Sequence, residues 1–212
     1  MTRTITRLFD DYADARTAVT ELERIGVPHG DLSIVANDAH GAHGAHGADR
    51  ADDEGINEDG DVTRGASTGA AIGGVGGLLA GLGLLAIPGL GPIVAAGWLA
   101  STAVGAAIGG VGGAATGGIV GALKNAGHTD EEAGVYAEGV RRGGTLVSAR
   151  VEDDLVGETE AVLDGNRGVS ADARGSDYRQ TGWTSFDDNA QPYSADEIDS
   201  HRSAYRREPT SI

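Results

Sequence analysis

Apolar and polar residues alternate from Thr4 to Phe9, a period of two that predicts a short strand. Asp10 or Asp11 then stands where a helix cap is wanted. Behind it Ala15, Ala18, Val19, Leu22 and Ile25 fall at helical spacing, with Gly26 and Pro28 to stop the run. Asp31–Ala36 (DLSIVA) predicts a second strand, so residues 1–36 make a βαβ unit. The same grammar returns in the second half. Thr129–Glu132 (TDEE) is a capping box, followed by Ala133, Tyr136, Ala137 and Val140 at helical spacing and by Gly143-Gly144. Thr145–Val151 predicts a third strand and Asp153–Leu163 another helix. Val169, Ala171 and Ala173 alternate as a last strand. Residues 124–174 thus complete an α+β domain of the ferredoxin-like, split βαβ kind, with helices expected on one face and one helix extra.

Between the halves the pattern changes. Gly65, Gly69, Gly73, Gly77 and Gly81 recur at a spacing of four, as do Gly105, Gly109, Gly113, Gly117 and Gly121. Pro88, Gly89, Gly91 and Pro92 mark a reversal between the two ladders. Residues four apart share a helix face, so the spacing predicts a glycine-zipper helical hairpin, with helices over about 65–87 and 93–123 that pack backbone to backbone. The first segment holds eight glycines. At about 0.8–1 kcal/mol each they oppose an aqueous helix by roughly 7 kcal/mol, whereas in hydrocarbon unsatisfied backbone costs more still. Its 23 residues rise about 35 Å, against a hydrocarbon core near 30 Å.

Charge sharpens that picture. No Asp, Glu, Lys, Arg or His occurs from Gly65 to Leu123, a window holding nineteen of the 36 glycines. Arg64 and Lys124 bracket it, and Trp98 lies near its tip, the flanks of a bilayer-inserted hairpin whose open side faces the cytoplasm. The expected partners are therefore further copies of this chain and a lipid bilayer, at the inner membrane with a cytoplasmic α+β domain. A wholly cytoplasmic assembly with the hairpins as its buried core is the alternative. The N-terminus lacks the apolar core of a signal peptide, so any insertion is expected through the internal window. A net charge of −16 repels phosphate backbones and argues against nucleic acid as a partner. With no cysteine, thiolate chemistry is excluded. The polar composition of residues 37–64 and 175–212 predicts a disordered linker and a disordered tail.

Chemistry-bearing motifs are few. Residues 81–86 (GLGLLA) match a dinucleotide fingerprint as a string but follow no predicted strand, and no acidic residue stands about twenty positions on. His40, His43 and His46, in HGAHGAHG, are weak candidates for a metal site because nothing fixes their geometry. His29 and His128 fall at element boundaries and read as turn residues. No catalytic residue and no cofactor is expected.

Three blocks carry a resemblance: TRLFDDYADARTAVTELERIGVPHGDLSIVA, IPGLGPIVAAGWLA and YAEGVRRGGTLVSARV. Together they resemble the bacterial general stress protein 17M-like (heat-induced stress protein YflT-like) family, over roughly residues 4–174. The resemblance implies a stress-inducible bacterial protein whose molecular activity is undefined, and it supplies no catalytic residues. The function expected is that of a non-enzymatic stress-response protein that self-associates through its glycine ladders. A small-ligand-binding regulatory domain on the sheet face is a further alternative, by fold analogy alone.

Overall fold

The computed structural model describes residues 1–41, 83–87, 89–102 and 118–205. Strand β1 (Thr2–Phe9) leads into helix α1 (Tyr12–Arg24), which Asp11 caps by accepting the Ala13 N–H at 2.9 Å. Ala15, Ala18, Val19 and Leu22 form its buried stripe, as their spacing requires. A single 3₁₀ turn (His29–Asp31) delivers the chain to β2 (Leu32–Asn37). Strands β3 (Gly83–Ile87) and β4 (Gly91–Gly97) follow, and residues 98–102 are helical. Helix α2 (Ile119–Asn125) precedes α3 (Asp130–Arg141). The expected capping box closes the start of α3: Thr129 Oγ1 accepts the Glu132 N–H at 3.2 Å, and the Glu132 carboxylate accepts the Thr129 N–H at 2.8 Å. Then come β5 (Thr145–Glu152), α4 (Val156–Gly165), α5 (Ala171–Gln180) and α6 (Ala195–Tyr205).

The molecule is α+β, with one antiparallel sheet ordered β1-β5-β2-β4-β3. Strand β5 lies between β1 and β2, so the first and second halves of the chain interleave in one sheet. Ile5, Phe9, Leu32, Ile34, Val147 and Ala149 turn to one side and pack with α1 and with Leu163 of α4. Leu8, Val35, Ile93, Ala95 and Leu146 turn to the other, against α2, α3 and Tyr178 of α5. Every residue of β2 is buried, which is the mark of a strand covered on both faces. Helices on one face only were expected; the middle of the chain and its C-terminal part supply the second layer.

Four further expectations change. The ladder helices give way to strands over 83–87 and 91–97, paired from Gly83↔Ala95 to Ile87↔Gly91. The reversal between them is real, but it is a β-turn: Leu90 N–H donates to the Ile87 carbonyl at 3.0 Å, with Gly89 at φ +76° in the third position. Residues 98–102 and α2 end in one core, where Leu99, Ile119 and Leu123 are buried together. Among the described residues no helix is long and apolar enough to span a membrane. The last expected strand reduces to one bridge, Leu8↔Val169, before Ser170 caps α5. The tail expected to be disordered is folded through residue 205, with Tyr178 and Ile198 buried.

Candidate functional site

The residues singled out in the sequence part company in the structure. Gly65, Gly69, Gly73, Gly77, Gly81, Gly105, Gly109, Gly113 and Gly117 lie outside the described residues, as do Arg64, Pro88, His43 and His46. Gly121 sits within α2. Gly89 and Gly91 shape the turn into β4, and Pro92 is an exposed residue at the start of that strand. This turn packs against the C-terminal segment. The Asp188 backbone and the Pro192 ring pass so close that a Cβ at Gly89 or Gly91 would meet them at 2.7 and 3.0 Å. Trp98 is half-buried with its ring 4.9 Å from the Arg150 guanidinium, and Lys124 pairs with Asp130. His40 faces Asp199 of α6 at 3.3 Å.

Beneath α3 the sheet holds a buried polar chain that spacing alone did not reveal. Thr6 and Ser148 are register partners on β1 and β5, and their hydroxyl oxygens stand 2.9 Å apart. His128, between α2 and α3, brings Nε2 to 2.8 Å from Thr6 Oγ1, while its Nδ1 is 3.7 Å from Glu132. Tyr136 packs edge-on to the imidazole at 5.6 Å, donates its hydroxyl to the Thr6 carbonyl at 2.7 Å and accepts the Ala171 N–H at 3.2 Å. The order carboxylate, imidazole, hydroxyl resembles a nucleophilic relay, yet Thr6 is 1 % and Ser148 0 % exposed, so neither hydroxyl meets solvent. The chain ties β1, β5, α3 and the start of α5 together. Burial pushes the Tyr136 phenol up to about 12, so it remains a donor.

The same burial lowers the His128 imidazole below its usual 6.5, partly offset by Glu132. The unfolded chain then takes up its proton first as pH falls, and stability declines below about 6.5 until the folded imidazole is protonated too. His201 is shifted the same way, by burial and by Arg142. Urea unfolding at pH 7.5 and 5.5 should show His128→Gln losing less stability over that interval than wild type; equal losses would remove His128 from the network's energetics.

A second cluster lies at the C-terminal end of α3. Glu138 is fully buried; its Oε1 accepts from Arg142 Nε at 2.6 Å and its Oε2 lies 2.9 Å from Arg141. Arg141 stands over the rings of Tyr193 and Phe186 at 4.8 and 5.8 Å, and Arg142 over Tyr178 at 4.4 Å. One buried carboxylate thus serves two guanidiniums, whose flat faces are left for aromatic rings. The signal for this site, Arg-Arg in front of Gly-Gly and an aromatic-rich tail, was visible, but nothing in the sequence joined the two. No family model matches this chain, and no curated protein or solved structure matches it.

Proposed function

We propose that this protein is a non-enzymatic stress-response protein of the general stress protein 17M-like kind, built on a ferredoxin-like domain and self-associating through its glycine ladders. The carrying observation is where the three resemblance blocks fall. The first is β1, α1 and β2, the second holds the β3–β4 turn with β4, and the third is α3 with β5. Blocks far apart in the chain make one continuous sheet. Strand β5 between β1 and β2, with Val169 beside the outer edge of β1, is the strand order of a ferredoxin-like sandwich whose fourth edge strand is vestigial. Strands β4 and β3 extend that sheet beyond β2.

Self-association is supported by how the ladders enter the fold. The first ladder precedes β3 in the chain and the second follows β4, and these two strands pair with each other. Glycines four apart let neighbouring backbones approach. A soluble assembly with the ladders as its packed interior fits these attachments. A ligand site on the sheet is disfavoured, because both faces carry helices. Leucine at Gly73, Gly77, Gly109 and Gly113 together should reduce the particle mass measured by light scattering while β-sheet circular dichroism persists. Unchanged mass would end this reading. Carbonate-resistant sedimentation with membranes, lost on deletion of 65–82, would place the first ladder in a bilayer instead.

A further inference from the structure

The C-terminal segment binds its own domain as a ligand would. After α5 the chain runs through Thr181–Ser194 and returns in α6, crossing the β3–β4 turn, the two arginines of α3 and the Gly143 turn. Phe186 and Tyr193 cover Arg141, and His201 stacks on Tyr193 at 4.8 Å. Ile198 fills the space over Gly143, where a Cβ would collide with it, and Arg202 Nε donates to the Gly143 carbonyl at 3.1 Å.

We propose that residues 183–205 form an exchangeable strap, which occupies the Arg141–Arg142 seat of its own chain and docks in the same seat of a second copy when copies are crowded together. Two features make exchange accessible. The hold is thin, since Ile198 is the one fully buried residue among those of α6 whose burial is described. Segments with so few buried contacts open locally without unfolding their domain. A hinge is also at hand: Thr181 and Gly182, the latter at φ +88°, separate the strap from the end of α5. The occupant is specified by chemistry. Two guanidiniums that share one carboxylate leave their flat faces for aromatic rings, and the strap supplies Phe186 and Tyr193 to Arg141. Within one chain the tether's high effective concentration favours the closed form, so a second copy competes only where local concentration is high. This exchange does not depend on the glycine ladders.

A fluorescein-labelled peptide of residues 183–205 tests it against the full-length protein. Ile198→Asp and, as a milder opening, Arg202→Ala should each bind the peptide at least about tenfold more tightly than wild type, because the competing strap is weakened. Arg141→Met added to either should remove the gain. Hydrogen exchange should show α6 amides exchanging faster than those of β5 in wild type, and faster still in the variants. If the opened variants bind no better than wild type, or α6 exchanges only at the rate of β5 in both, the strap does not exchange.

Discussion

Gly97→Ala is expected to destabilise the protein by about 3 kcal/mol or more, the sum of a strained backbone and an overpacked contact. Gly97 ends β4 at φ +88°, where the chain turns from the sheet into the helical residues 98–102. A Cβ there would run into the Leu32 carbonyl and would lie 2.8 Å from Ser33 Cα, both backbone atoms of the neighbouring strand. Neither can move without opening the β2–β4 ladder, which Ser33 also secures by donating to the Ala96 carbonyl at 2.8 Å. The thermal midpoint should fall by roughly 6–12 °C. If residues 93–123 were a continuous helix, the same substitution would raise stability by about 1 kcal/mol. Strand and helix thus predict opposite signs, and a midpoint at or above wild type would overturn the β4 assignment.

That position also shows why the middle of the chain misleads. A spacing of four brings residues to one face of a helix, but it is also an even number, so it brings them to one face of a strand. Gly89 and Gly97 continue the four-residue register of both ladders, yet one shapes a turn and the other ends a strand. Between them Ile93, Val94, Ala95 and Ala96 form a short apolar run, and periodicity cannot distinguish such a run from a buried strand. Hydropathy reported burial correctly and left the burying partner open.

Elsewhere local signals were sufficient. Asp11, the Thr129–Glu132 box and the alternation within β1 and β5 act over a few residues, and the elements they predict are present. What escaped was long-range. Thr6, His128 and Ser148 are ordinary residues until strand pairing joins positions 142 apart. Arg141 and Arg142 look like a solvated pair until Phe186, Tyr193 and Tyr178 arrive from a tail whose polar composition argues for disorder. In that tail a few aromatic anchors and one isoleucine make the docking contacts, on Arg141 and over Gly143. Average composition does not register a handful of well-placed contacts.

The seat rests on Glu138, and Glu138→Ala should cost about 3–5 kcal/mol, the range for removing one partner from a buried charge cluster. The carboxylate is 0 % exposed and the Arg141 and Arg142 side chains are each 10 % exposed, so its loss leaves two guanidiniums close together with little water to screen them. The whole domain should lose stability, since α3 packs on β1, β2 and β5, and the denaturant midpoint should fall in one transition that includes the sheet. Ile198→Asp, by contrast, should free α6 and leave the midpoint of the sheet nearly unchanged. Replacing all three charges, Glu138→Leu with Arg141→Met and Arg142→Met, should recover most of the stability lost in Glu138→Ala, because an apolar cluster of similar volume needs no compensating charge. The strap should nonetheless be weakened, as its aromatic rings would have no guanidinium to cover. A triple variant as unstable as Glu138→Ala would mean that the arginines support the domain by some means other than their shared carboxylate.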